Sequence, residues 1–216
     1  MKFQKGLSFF LVFLLFFCTA CSNSQSDNSS SDYPFSIPSV QNNGMKKIGE
    51  VSTYEDYTGS KWEYKVQDVA IYGHYSESDI PEDDFFEGVN DQKLVVVEIK
   101  IKKVEGPQRK SDNQYDTLEY LSLSSKSIRE AIKTGNISIV FPDLVYFSGH
   151  EDGTGAYQYW LDPGEEAVFQ LGWCLSDENY TGREKNLIFL TDTDGLALYI
   201  GSDLYQGEYI DLTAEE

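Results

Sequence analysis

The stretch that most constrains the fold of this chain is KLVVVEIKIKKV, residues 93–104. Two sets of side chains alternate along it, Val95, Val97, Ile99 and Ile101 against Glu98, Lys100 and Lys102. An extended strand sends successive side chains to opposite faces, whereas a helix would scatter these residues around its circumference. The pattern therefore predicts a long β-strand with one buried face and one wet face, which is typical of antiparallel sheets.

Strand signals recur through most of residues 45–216. In KWEYKVQDVAIY, apolar Trp62, Tyr64 and Val66 alternate with polar residues. Shorter strands are predicted at 118–123, 137–141, 144–147, 156–161, 167–175, 187–191, 196–200 and 208–212. The sequences DPGEE at 162–166 and TDTDG at 191–195 predict hairpin-type turns. Many short strands without a strand–helix rhythm predict an all-β fold, an antiparallel sandwich.

One short helical insert is expected near residue 127. Ser127 and Glu130 form a capping box, in which each side chain pairs with a backbone N–H left open at the helix start. Three apolar residues share one face of this helix: Ile128, Ala131 and Ile132. Gly135 is placed to end it.

The first 20 residues have the organisation of a secretory leader. Lys2 and Lys5 precede an apolar run of 12 residues, 6–17, which is shorter than the roughly 20 residues of a transmembrane helix. A polar tract follows directly. Residues 1–20 are therefore predicted to be a signal peptide.

The expected cleavage site, Cys18-Thr19-Ala20-Cys21, resembles a bacterial lipobox. The resemblance implies cleavage between Ala20 and Cys21 and a thioether-linked diacylglycerol, with palmitate-type acyl chains, on Cys21. The first lipobox position is usually leucine, and Cys18 departs from that pattern. Each buried methylene contributes about 0.8 kcal/mol, so two acyl chains anchor durably. A C-x-x-C redox or zinc motif is disfavoured at the end of an apolar leader, because both need a folded polar setting.

Residues 21–44 are predicted to be a lipidated linker, rich in Ser and Asn and without apolar periodicity. Random-coil scaling gives it a reach of roughly 25–30 Å. The remaining residues, 45–216, are predicted to form a single β-sandwich domain.

That domain resembles the immunoglobulin-like sandwich domains of surface lipoproteins from low-GC Gram-positive bacteria. The resemblance rests on an early Gly49-Glu50, the strand at 95–101, the sequence LDPGE at 161–165 leading into Phe169 and Leu171, and YIDL at 209–212. It departs at the helical insert and at the acidic stretch before Lys93. It implies an architecture and a location on the outer face of the cytoplasmic membrane, and no activity.

The formal net charge is −19, which disfavours nucleic acid and anionic lipid headgroups as partners. No cofactor is predicted. The acidic run at residues 77–91 offers oxygen ligands for calcium, but it lacks the spacing of a calcium loop. A solvated loop docked by Phe85 and Phe86 is the favoured interpretation. The sequence DTDG at 192–195 mimics half of a calcium loop, and a tight hairpin is favoured there as well.

No persuasive catalytic set is found. Cys174 with His150 and Asp152 is formally possible, but a lone cysteine in a strand is usually a small buried residue. His74 is predicted to lie at the surface where a strand ends. Tyr157 and Tyr159 are predicted on one strand face with Trp160 on the other, so that one set is core and the other could form an exposed platform for sugars or a peptide. Core or edge packing is the favoured interpretation of these rings.

These observations predict a lipid-anchored extracytoplasmic protein that is not an enzyme. It would display its β-sandwich to an unknown protein or carbohydrate ligand. Two alternatives stay open from the sequence: a calcium-assisted hydrolase of the cell envelope, and an accessory subunit of a membrane complex.

Overall fold

Antiparallel β-sheet with few helices dominates the structure, as the alternating patterns predict. The computed structural model describes residues 45–86, 93–111, 114–133, 139–150, 157–175, 188–190, 193–202 and 207–213, which belong to one compact unit. The strands of this part are β1 Ser52–Glu55, β2 Lys61–Tyr72, β3 Leu94–Glu105, β4 Asp116–Thr117, β5 Leu121–Ser124, β6 Ile139–Val140, β7 Leu144–Phe147, β8 Gln158–Tyr159, β9 Glu166–Cys174, β10 Ile188–Phe189, β11 Ala197–Ile200 and β12 Glu208–Asp211. Its helices are α1 Lys126–Lys133 and the 3-10 turns Tyr75–Glu77 and Glu82–Asp84.

Two larger sheets organise these strands. The first has the order β1-β2-β3-β9-β7, and all its neighbours are antiparallel. The second has the order β12-β11-β5 and is also antiparallel. Two short pairs accompany them, β4 with β8 antiparallel and β10 with β6 parallel.

The long strands β2 and β3 give the first sheet two distinct faces. The face that carries Val66 and Ile99 is called the inner face, and the opposite one the outer face. The register shifts between Val66 and Asp68, so that Gln67 is the extra residue of a β-bulge. Both larger sheets and α1 contribute side chains to one core cluster, which includes Tyr64, Ile99, Leu171, Leu123, Leu198, Ile210 and Ile128.

Several predicted strands are shorter than expected, among them 118–123 and 156–161. The segment 118–123 contains a turn, in which the Leu121 N–H donates to the Leu118 carbonyl at 3.0 Å, so only β5 remains of it. The segment 156–161 reduces to β8. In the first segment a chain reversal separates Leu118 from β5.

The prediction of hairpins at DPGEE and TDTDG is wrong, although both are turns. Gly164 has a φ of +93° and Gly195 one of +57°, values that favour glycine. The strands before and after each turn pair with different neighbours: β8 pairs with β4 while β9 pairs with β3, and β10 pairs with β6 while β11 pairs with β5. Each turn therefore carries the chain from one sheet to another.

The helix is confirmed, but its predicted capping residue is wrong. Ser125 caps it: its side-chain oxygen accepts a hydrogen bond from the Ile128 N–H at 3.4 Å. Ser127 lies within the helix, and its hydroxyl contacts that of Ser125 at 2.8 Å. Because β5 ends at Ser124, Ser125 is the residue at which the backbone changes from extended to helical. Ile128, Ala131 and Ile132 are buried as predicted.

The first described residues are hydrogen-bonded to the second sheet. The Lys46 N–H donates to the Tyr209 carbonyl, and the Asp211 N–H donates to the Lys46 carbonyl, both at 2.8 Å. These bonds form a parallel bridge between Lys46 and Ile210. Three residues later the Gly49 N–H donates to the Val66 carbonyl at 2.9 Å, which connects the same segment to the first sheet.

Candidate ligand groove

A loop, residues 73–86, crosses the outer face of the first sheet; we call it the acidic strap. It begins where β2 ends, and the Gly73 N–H donates to Glu77 Oε2 at 2.8 Å. His74 Nδ1 accepts from the Ser76 N–H at 3.2 Å and so caps the first 3-10 turn. The far end is fastened by the Phe86 N–H, which donates to the Val145 carbonyl at 2.8 Å.

Aromatic rings hold the strap on the sheet. The Phe85 ring lies 5.6 Å from that of Tyr75 and 5.8 Å from that of Tyr146, centroid to centroid. The Phe86 ring meets those of His150 and Tyr157 edge to face, at 5.2 and 5.7 Å. Phe85 packs against a small buried cluster on the outer face: Leu94, Val96, Val145 and Cys174. Phe86 packs against the main core cluster instead. The predicted docking of this loop by Phe85 and Phe86 is confirmed.

Between the strap and the outer face is a half-open groove of about 230 Å³. Strands β2, β3, β7 and β9 form its floor, and Ile80 and Pro81 of the strap form one wall. Its apolar lining includes Ala70 and Val96. Tyr146 also lines it, and burial, with a smaller contribution from the charge of Asp84, raises the pKa of the Tyr146 hydroxyl.

Three carboxylates line the groove: Asp68 of β2, Glu98 of β3 and Asp79 of the strap. Asp68 and Glu98 are direct partners across the two strands. The bulge at Gln67 sets this pairing, because it shifts Asp68 into register with Glu98. None of the three forms a salt bridge with a basic side chain in the described part of the chain. The groove therefore offers apolar walls and an uncompensated negative charge.

A second unusual site lies on the inner face, where Lys103 is 0% exposed. Its Nζ donates to both carboxylate oxygens of Asp116, at 3.0 and 3.2 Å. The ammonium also lies 4.2 Å from the ring centroid of Trp160 and 5.0 Å from that of Trp62. Burial raises the pKa of Asp116, and the hydrogen bond from Lys103 opposes that rise. The pair ties β3 to β4.

Further carboxylates fix the two indoles. Trp62 Nε1 donates to Asp56 Oδ2 at 3.0 Å, and Trp160 Nε1 donates to Asp162 Oδ1 at 3.0 Å. Burial acts to raise the pKa of Asp56, but hydrogen bonds from Thr58, Trp62 and Ser60 outweigh it and lower that pKa. All polar groups around Lys103 are thus paired, which indicates a structural role for this site.

The sequence carries a signal for the buried lysine that the prediction missed. Position 103 continues the inner-face series of Val97, Ile99 and Ile101, so the period-2 pattern places Lys103 in the core. A charge at such a position requires a buried partner. The identity of that partner, Asp116, depends on a pairing of β4 with β8 that the pattern does not specify.

The formally possible catalytic residues occupy different surroundings. Cys174 is buried under the strap, as the prediction of a small buried residue requires. His150 is exposed and packs on Phe86. Asp152 lies outside the described residues, as do Cys18, Ala20 and Cys21 with the whole of residues 1–44.

The aromatic rings of residues 157–160 are packed, which is the favoured interpretation of the sequence, and an exposed platform is not formed by them. Tyr159 is buried in the core cluster. Tyr157 lies before β8 and donates its hydroxyl to the Leu144 carbonyl at 3.0 Å. Trp160 is half-buried against Lys103. These three rings therefore belong to packing rather than to one exposed surface.

Among the described residues, no group of three or more His, Cys, Asp or Glu side chains is arranged to hold a metal ion. In the same part of the chain, no helix has the length and apolar character to cross a bilayer. Comparisons of the chain with protein-family models, curated proteins and solved structures returned no match.

Proposed function

We propose that this chain is a lipid-anchored protein on the outer face of a bacterial cytoplasmic membrane, and that its β-domain is a binding module. The groove beneath the acidic strap is the observation that carries the binding function. A rigid sheet supplies its floor, and a loop fastened at both ends supplies its wall. Such concave sites with mixed apolar and polar linings are typical of ligand sites.

For the architecture we infer an immunoglobulin-like sandwich. Two antiparallel sheets that contribute to one core cluster support it. In this arrangement the inner face serves stability, and the outer face is available for recognition. Residues 21–44 would then be a spacer that holds the domain clear of the lipid surface.

The anchor is tested by paired cysteine variants. Cys21→Ala should abolish the incorporation of labelled palmitate and release the protein from washed membranes, since the sulfur is the attachment atom. Cys18→Ala is the matched control and should leave both unchanged. Retention of the label on the Cys21→Ala protein would refute the anchor.

The binding function is tested by site-specific photo-crosslinking of the full-length protein in intact cells. A photoreactive residue at Gln170, which lines the groove, should give a discrete adduct. The same residue at Val168, two positions along β9 on the same face and outside the groove, is the control. Crosslinking from position 168 but not from position 170 would contradict a groove-based function.

A further inference from the structure

The floor of the groove places two like charges opposite each other. Asp68 and Glu98 are register partners, and like charges directly opposite across a sheet are destabilising. Asp79 adds a third carboxylate from above. A cation held between Asp68 and Glu98 would offset the repulsion between these two facing charges.

The nearest lysines on the outer face do not pair with Asp68 or Glu98. On the next positions of the outer face, Lys65 lies opposite Lys100. Lys100 Nζ donates to Glu166 Oε1 at 2.6 Å, so its head is directed towards β9. Neither lysine lines the groove.

The walls of the groove suit a cation that is carried on an apolar stem. Ala70, Val96 and Ile80 offer aliphatic contact, and Tyr72 and Tyr146 offer ring surface. Lysine and arginine side chains bury their methylene groups against such walls and keep the charged head for a polar partner. Aromatic rings attract the same heads.

The volume of the groove and the charge of the strap indicate that the cationic side chain belongs to a peptide segment. A half-open space of about 230 Å³ holds one long side chain and leaves the backbone that carries it outside. The strap also carries exposed acids, among them Glu77, Glu82 and Asp83. A negative surface of this kind attracts basic segments and speeds their association.

We propose that the groove receives a lysine or arginine side chain from a peptide segment of a partner protein. This inference rests on the binding function proposed above and specifies its ligand chemistry. Asp68 and Glu98 pair with the cationic head, Asp79 adds negative charge at the wall, and Ala70, Val96 and Ile80 contact its stem.

The test uses full-length protein in detergent and capped pentapeptides Gly-Gly-X-Gly-Gly, with affinities measured by saturation-transfer NMR titration. Peptides with X as lysine or arginine should bind, and the norleucine peptide should bind at least about tenfold more weakly, because it keeps the stem and lacks the charge. The double variant Asp68→Asn/Glu98→Gln should weaken lysine-peptide binding about tenfold or more.

The matched control is Glu82→Gln/Asp83→Asn, which removes the same charge from exposed strap residues outside the groove. It should change the affinity less than about threefold, since these two carboxylates do not line the groove and act on the ligand only through screened, longer-range attraction. Circular dichroism and thermal unfolding of both double variants confirm that they remain folded.

Three outcomes would overturn the proposal. Equal binding of the norleucine and lysine peptides would exclude a cationic ligand. Equal loss in the two double variants would show general electrostatic attraction without a site. Binding of n-butylamine as tightly as the lysine peptide would assign the groove to a small free amine. If any of these results is obtained while the photo-crosslinking experiment still gives an adduct at position 170, the proposed binding function is supported. Only the proposed class of ligand, a lysine or arginine side chain, is then excluded.

Discussion

The two faces of the first sheet are built from the same strands but covered in different ways. The inner face belongs to a core shared with the second sheet and α1. Among the residues that the structure describes, the outer face is covered at one end, where the acidic strap packs on Leu94 and Val96. The burial pattern of strand β3 shows the difference: its first four residues are all buried, and from Glu98 to Lys103 partly exposed and buried residues alternate.

This contrast shows how a strand pattern encodes its surroundings. A strand buried on both faces reads as a continuous apolar run, and a strand buried on one face reads as an alternation. In β3 the change from LVVV to EIKIK therefore marks the place where the second cover ends. The groove lies at this boundary, with Val96 and Glu98 both in its floor.

The largest expected effect is on the inner face. Asp116→Ala should lower the free energy of unfolding by about 3 kcal/mol, because it leaves Lys103 buried without its carboxylate. The double variant Lys103→Met/Asp116→Leu should recover most of this loss. Urea denaturation measures both. An Asp116→Ala protein as stable as the wild type would show that the inner face tolerates an unpaired charge.

Val97 and Val96 allow a direct comparison of the two faces. They are adjacent in β3, and they are 0% and 8% exposed on the inner and outer face respectively. Val97→Ala should cost about 2–3 kcal/mol, and Val96→Ala about 1 kcal/mol, since the strap can settle into the space more easily than the core can. Equal costs in urea denaturation would mean that the strap packs as rigidly as the second sheet.

Asp56 provides a pH-dependent test of the inner face. Its pKa in the folded protein is lowered from the ordinary value of 3.8, so its contribution to stability is complete above that value and is lost as the pH falls through the folded-state pKa. Asp56→Asn should cost about 1–2 kcal/mol at neutral pH, because the Trp62 N–H loses its acceptor.

This difference between the wild type and Asp56→Asn should shrink steadily as the pH falls below 3.8, the ordinary pKa of the group. Thermal unfolding of both proteins across the acid range measures it. A difference that stays constant with pH would show that the charge of Asp56 contributes nothing.

The smallest effect on global stability is expected at Phe85. Phe85→Ala removes the ring that joins Tyr75 to Tyr146 and should cost about 1 kcal/mol or less, because the strap yields around a partly exposed ring. Its main result should be faster protease cleavage within residues 73–86, detected by mass spectrometry. Unchanged cleavage would indicate that Phe86 and the backbone contact to Val145 hold the strap alone.

The sequence predicts best where one periodicity extends over many residues. The pattern around Val97 and Ile99 identified β3 and its buried face, and 144–147 coincides with β7. Pairing partners were predicted poorly. A turn sequence such as DPGEE specifies a local reversal, but distant residues decide which strands then pair.

The site shows the same limit. The apolar character of Phe85 and Phe86 within an acidic run was sufficient to predict that they dock. The groove was not predictable, because it depends on the pairing of Asp68 with Glu98. That pairing is set by the β-bulge at Gln67, and no local sequence pattern predicts this bulge. The residues that line the groove are far apart in the chain and come together only when the sheet folds.

The bridge between Lys46 and Ile210 also determines how the domain bears mechanical load. Among the described residues, a pull from the N-terminal side first meets resistance at Lys46, through its two hydrogen bonds to β12. The next resistance is the bond from Gly49 to Val66 in the first sheet. Tension along the chain is therefore shared between the two sheets before it reaches β1, and the groove at the far end of β2 stays outside the stressed segment.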